Sequence, residues 1–174
     1  VNGKLIYYFK NGQKQNEGEF YFGVQRGEFK EWYKSGQLKI QGYYKLNFKD
    51  SIWTYYYKNG SVEKIEEYDN ENITYKLIEY NNKEGKNLVK NGNGHFVDHY
   101  QNGNKKEEGN YKDGLANGKW TYWYASGEKY SEGIYDMAVK KGTWTSWYEN
   151  GQKNSILNYE NGDNTIWYEN GQKE

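Results

Sequence analysis

The sequence predicts an all-β protein, an elongated single-layer antiparallel β-meander of stacked hairpin repeats. Three observations carry this. First, a glycine- and aromatic-rich unit recurs with fixed internal spacing. Gly27, Phe29, Trp32, Tyr33, Gly36, Gly42 and Tyr44 form one copy, and Gly118, Trp120, Trp123, Tyr124, Gly127, Gly133 and Tyr135 form another. A third runs Gly142, Trp144, Trp147, Tyr148, Gly151 and closes on Tyr159. The period is about 24 residues, in the range of stacked arrays whose units are stabilised by their neighbours. Second, each aromatic run ends on Asn-Gly or Ser-Gly, from Asn11-Gly12 to Asn170-Gly171. Such a pair between strand-like runs is a strong hairpin signal. Third, glycines are too frequent for a long 3.6-residue periodicity to survive, so helices gain no support.

The copies open near residues 3, 27, 51, 71, 94, 118, 142 and 162, within one array over 1–174. Ser51 stands where other copies have glycine. The copy at 71 is divergent. Ile73 to Tyr80 reads as a strand and Lys86 to Lys90 as its return. The final copy starts early, after Tyr159, which implies a short preceding connection. Eight hairpins at about 4.8 Å per strand would span about 75 Å.

With Ser126-Gly127 as a two-residue type I′ turn, Tyr124 pairs with Lys129, Trp123 with Tyr130, Trp120 with Gly133 and Gly118 with Tyr135. Each large ring then covers the bare backbone of its hairpin partner. Alternation of side chains sorts two faces. Face one carries Phe29/Tyr33/Tyr44, Trp53/Tyr57/Tyr68, Phe96/Tyr100/Tyr111, Trp120/Tyr124/Tyr135 and Trp144/Tyr148/Tyr159, a continuous aromatic slab. Face two carries Tyr8, Trp32, Tyr56, His99, Trp123, Trp147 and Trp167, a spaced row of rings among Lys, Glu, Gln and Thr. These seven are the candidate partner-binding residues.

Composition narrows function by exclusion. Hydrophobic content is 34% while aromatics supply 20%, so burial must come mainly from rings. Disordered chains lack such aromatics. Lys+Arg and Asp+Glu balance at 24 each, which gives no general attraction to nucleic acid or anionic membranes. Cysteine is absent, which excludes thiolate chemistry. The chain begins at Val1 and its last copy stops just after Gly171. Both ends look cut, which implies a longer protein, with a removed signal peptide and an exported or cell-envelope location consistent with that. The Lys/Asn/Tyr-rich composition points to an AT-rich bacterial genome.

The string from Gly118 to Gly127, with its Asn-Gly variants, resembles the MORN repeat, and more closely the variant MORN repeats of bacterial proteins described as antitoxin-like. The likeness covers nearly the whole chain and fails around Glu71 to Asn93. It implies a single-layer sheet of stacked hairpins and a role in scaffolding or protein interaction, with phospholipid contact proposed for the family. It brings no catalytic residues. Many MORN copies open on a Tyr-x-Gly pair, whereas the linkers here are longer, as at Lys45 to Lys49.

No chemical constellation competes. His95 and His99 flank Asp98, but four residues along a strand put them about 13 Å apart, too far to share one ion. Glu66-Glu67, Glu107-Glu108 and Asp69 could suggest paired-carboxylate chemistry. On strands beside lysines they read instead as cross-strand surface pairs. No glycine-rich loop opens a helix, so phosphate cradling gains no support. The expectation is a non-enzymatic scaffold that binds a protein, without metal or cofactor. The alternative is a glycan- or choline-binding module that stacks sugars or cations on the rings of face two.

Overall fold

The computed structural model describes residues 2–72 and 74–174, and Ile73, the first residue of the expected strand at 73–80, lies outside them. Every regular element among the described residues is a strand, and within each of two units successive strands pair antiparallel. The chain divides into two compact units, Val1–Gly92 and Asn93–Glu174. In the first, β1 (Gly3–Tyr8), β2 (Lys14–Tyr21), β3 (Val24–Trp32), β4 (Leu38–Lys45), β5 (Phe48–Tyr56), β6 (Val62–Asp69), β7 (Thr74–Asn81) and β8 (Asn87–Lys90) follow one another as a meander. The second repeats the pattern with β9 (Asn93–His99), β10 (Lys105–Lys112), β11 (Leu115–Trp123), β12 (Lys129–Asp136), β13 (Val139–Trp147), β14 (Lys153–Asn158) and β15 (Asn164–Ile166).

The type I′ turn is present, but not where Asn-Gly predicts it. It requires positive φ at both central residues. That signature falls on the connections between copies: Phe22-Gly23 (φ 50 and 80), Leu46-Asn47 (53 and 70), Asp113-Gly114 (51 and 82) and Met137-Ala138 (47 and 67). At the Asn-Gly and Ser-Gly sites only the glycine is left-handed, as at Gly127 (φ 99). There Gly127 N donates to Tyr124 O at 3.0 Å and Tyr124 N to Glu128 O at 2.8 Å. This is a three-residue loop closed by a glycine bulge. The asparagine turns its side chain inward instead. Asn102 Oδ1 accepts from Asn104 N at 3.1 Å, while its Nδ2 donates to Ala125 O of the next copy at 2.7 Å. Asn11 and Asn150 reach Lys34 O and Glu169 O in the same way.

The longer loop shifts the register next to the turn. Gly118 pairs with Tyr135 and Trp120 with Gly133, as the sequence implies, but Trp123 pairs with Lys129 rather than Tyr130. Tyr130 is left as a bulge residue, 49% exposed.

A second bulge explains the core. Glu132 pairs with Thr145 and Ile134 with Lys141, so Gly142, Thr143 and Trp144 together face Gly133. The left-handed Gly142 (φ 55) bends the strand and tips the indole inward. A Cβ on Gly133 would lie 2.2 Å from the Trp144 ring, and one on Gly109 2.3 Å from Trp120. Gly42 stands in the same relation to Trp53. Each indole thus covers the glycine of the preceding copy, not that of its own hairpin. The indole N–H donates to the next carbonyl along: Trp53 to Tyr43 O, Trp120 to Asn110 O and Trp144 to Ile134 O, at 3.1–3.2 Å. Burial of the ring and satisfaction of a bulge carbonyl come from one side chain.

Within each unit these rings form the core on face one. Trp53, Trp120 and Trp144 are 1–4% exposed. Tyr111 meets Trp120 edge-on at 5.2 Å and Tyr135 meets Trp144 at 4.9 Å, the edge-to-face geometry that ring quadrupoles favour. Tyr33, Tyr57, Tyr100, Tyr124 and Tyr148 have a further task. Their hydroxyls donate forward to the carbonyls of Tyr56, Asn81, Trp123, Trp147 and Trp167 at 2.7–2.9 Å. Where the repeat degrades, Leu77, Tyr80 and Val89 replace the indole core at 0–7% exposure.

Candidate functional site

The register shift decides what surrounds the rings of face two. Tyr8 pairs with Lys14, Trp32 with Leu38, Tyr56 with Val62, His99 with Lys105, Trp123 with Lys129 and Trp147 with Lys153. Trp167 bridges to Lys173. Lys14, Lys105 and Lys129, each the first residue of a Lys-x-x-Glu segment, then lean over the ring of the next copy. Lys14 lies 5.4 Å from the Trp32 centroid, Lys105 5.4 Å from Trp123 and Lys129 5.2 Å from Trp147. The same ammonium groups bind Glu17, Glu108 and Glu132 three residues on, at 2.6–3.0 Å. Hydrogen bonds from those lysines hold the three carboxyls below their usual range against the opposing effect of burial. Each motif is therefore a carboxylate–ammonium–indole stack, with the cation attracted to both neighbours.

Exposure along the row is uneven. Tyr8 is 57% exposed and His99 is exposed, whereas Trp32, Tyr56, Trp123, Trp147 and Trp167 are half-buried. The most exposed apolar side chains sit at or beside the type I′ tips, which sequence reading passed over. Phe22 is 75% exposed, Phe48 67% and Leu46 63%.

The histidines do not converge. His95 places Nδ1 3.3 Å from Asn110 Oδ1 and Nε2 3.0 Å from Glu108 Oε1. No group of three His, Cys, Asp or Glu side chains among the described residues could hold a metal ion.

One carboxylate departs from expectation. Glu66 is 2% exposed, not a surface partner, whereas Glu67 is exposed. It occupies the slot filled by Gly18, Gly42, Gly109 and Gly133 in other copies, and pairs with Leu77 where they meet a ring. Lys64 Nζ contacts its carboxylate. Tyr68 and Tyr75 hydroxyls donate to it at 2.9 and 3.3 Å. Burial pushes the Glu66 carboxyl up, but the Lys64 charge and the hydrogen bonds from Lys64, Tyr55 and Tyr68 outweigh it and hold the group below the usual range. Burial, then the hydrogen bond and charge of Glu66, push the Tyr55 phenol up. The signal was available in the sequence as a glutamate in the glycine column of the repeat.

Face one of the second unit also holds an open trough of about 340 Å³. Ser131, Ser146 and Ser155 lie side by side across β12, β13 and β14 as its floor, and Trp144, Tyr159 and Lys140 rise at one side.

Five segments of the chain, residues 25–46, 49–70, 92–113, 116–137 and 140–161, match the family described as MORN repeat variant. Each segment from 25–46 onward spans one hairpin, as β3–β4, β5–β6, β9–β10, β11–β12 and β13–β14. No curated protein matches the chain. With hairpins of one geometry recurring at these five places, the chain belongs to the MORN repeat variant family.

Proposed function

We propose that the chain is a non-enzymatic scaffold that recognises a protein partner through the rings of face two: Tyr8, Trp32 and Tyr56 in the first unit, and His99, Trp123, Trp147 and Trp167 in the second. MORN repeats are generally associated with scaffolds that bind proteins or membranes, and the family is not catalytic. The observation that carries the reading is the carboxylate–ammonium–indole stack repeated at Lys14, Lys105 and Lys129. A lysine held over an indole by its own glutamate leaves the ring edge and the outer charge for a partner, in a fixed geometry that costs little side-chain entropy on binding. The lysines over Trp32, Trp123 and Trp147 also weigh against sugar stacking on those three rings, which needs their faces bare.

The test is affinity capture with the chain and with a variant carrying Trp32→Ser, Trp123→Ser and Trp147→Ser. The expected result is a protein retained by the first and lost from the second, with no retention of either on choline or glycan columns. A partner that survives the three substitutions would move the site off face two.

A further inference from the structure

The two units carry the same local framework at β5–β6 and at β13–β14, and differ in what fills it. Trp53 corresponds to Trp144, Lys49 to Lys140, Tyr68 to Tyr159, Tyr55 to Ser146 and Lys64 to Ser155. Equivalent pairings confirm the alignment: Tyr55 opposes Lys64, and Ser146 opposes Ser155. In the first unit the space above the sheet is occupied. The Tyr55 ring lies under Lys49 and Lys64, with centroid distances of 5.1 and 4.4 Å, and Lys49 Nζ meets the Tyr55 hydroxyl. In the second unit two large side chains are replaced by serines, and the trough over Ser131, Ser146 and Ser155 is the result.

The framework around the missing ring is kept. Lys140 still lies over Trp144 at 4.2 Å and over Tyr159 at 5.5 Å. No ion pair or hydrogen bond engages its ammonium among the described residues. Ser146 and Ser155 hydroxyls bond each other at 2.7 Å and line the floor. The Tyr122 phenol bounds the side toward β11, with a long contact of 3.4 Å to the Tyr135 hydroxyl. The volume suits a single aromatic ring with room to enter from above.

We infer that this trough receives a tyrosine side chain presented by the partner protein, seated as Tyr55 is seated in the first unit. The phenol ring packs over the serines beside Trp144, and its hydroxyl takes the Lys140 ammonium in the place where Lys49 meets Tyr55. The inference rests on the protein-binding reading above but uses the opposite face of the sheet. A pocket with an ammonium waiting for an oxygen discriminates against a ring that lacks the hydroxyl, because the polar group is then left without its partner.

The experiment is an NMR titration of the ¹⁵N-labelled chain with N-acetyl-tyrosinamide, N-acetyl-phenylalaninamide and methyl glucoside. A probe of side-chain size binds at about millimolar levels. The tyrosine probe is expected to shift the Trp144 indole and the Ser131, Ser146 and Ser155 amides saturably, with the phenylalanine probe at least about fivefold weaker and the sugar silent. S146Y, which rebuilds the plug of the first unit, is expected to abolish the shifts while keeping the dispersed indole spectrum of a folded chain. S155K is expected to do the same by restoring the lysine. No saturable shift, equal binding of the two amino-acid probes, stronger binding of the sugar, or unchanged titration in both variants would overturn the proposal. A captured partner lost from the three-tryptophan variant but kept by S146Y would also overturn it and leave the ring-row reading standing.

Discussion

The hairpins at β11–β13 and the pair β6–β7 solve one problem in two ways. At Gly133 the strand offers bare backbone, a bulge at Gly142 tips Trp144 onto it, and the indole N–H takes up the freed carbonyl of Ile134. At Glu66 the same slot carries a side chain. A Cβ there leaves no space for an indole, since the equivalent contact would be 2.2–2.3 Å. The facing residue is Leu77, and the burial that tryptophan supplies elsewhere comes from Leu77 and Val89, both almost fully enclosed. The carboxylate in turn draws Lys64, Tyr68 and Tyr75 around itself. The comparison teaches that glycine and tryptophan are one unit of the repeat. When the first changes, the second cannot stay, and polar partners must be recruited to hold the charge.

The largest blow to the regular arrangement is Trp120→Ala. It empties the most enclosed slot of the second unit and strands the Asn110 carbonyl, and should cost about 3–5 kcal/mol, read by urea unfolding. Gly133→Ala removes no ring yet forces Trp144 off its seat. A loss of about 1–3 kcal/mol is expected from overpacking, while the same change at the open Gly60 should act only through its positive φ, 85°. On the other side of the comparison, Glu66→Gln keeps the shape and removes the charge, with a loss of about 1–2 kcal/mol at neutral pH. Its pH dependence follows from the lowered carboxyl of the folded state. The contribution is full above the unfolded-state value of about 4.3 and fades as pH falls through the lower folded value. Acid unfolding curves of the native chain and Glu66→Gln should therefore converge below that window, and parallel curves would remove Glu66 from the account. The smallest effect is a gain. Ser51 holds φ 59 in the column where Gly27, Gly118 and Gly142 stand, so Ser51→Gly should stabilise by about 0.5–1 kcal/mol. A loss on thermal melting would mean that the serine hydroxyl, 3.1 Å from Asp50, matters more than the backbone strain.

The sequence made the meander legible because its signals are local. Glycine spacing marks hairpin length, and alternation sorts Trp120 and Trp123 to opposite faces. It misplaced the type I′ turn because Leu46-Asn47 and Met137-Ala138 do not look like turn residues. Their left-handed backbones are imposed by the strands they join. It also assigned each indole to the glycine of its own hairpin, since pairing arithmetic cannot see the bulge that aims the ring backward at Gly109 or Gly133. The ring row was readable by counting. Its lysine stacks were not, because they depend on a one-residue shift beside each turn. The buried Glu66 and the serine trough belong to a third kind of signal. Both appear only when the copies are laid over one another and the exceptions to the repeat are taken as seriously as the rule.

The hydroxyls of Tyr33, Tyr57, Tyr100, Tyr124 and Tyr148, one at the same place in each of five copies, all reach toward the copy that follows. This gives the array a direction that a ladder of hairpins alone would lack. On the ribosome, Tyr100 emerges before the Trp123 carbonyl it will hold, so each hairpin stays unlatched until its successor has been made. Folding of such a chain should trail synthesis by one repeat. A break in translation between two copies would leave the last hairpin with its latch open to water.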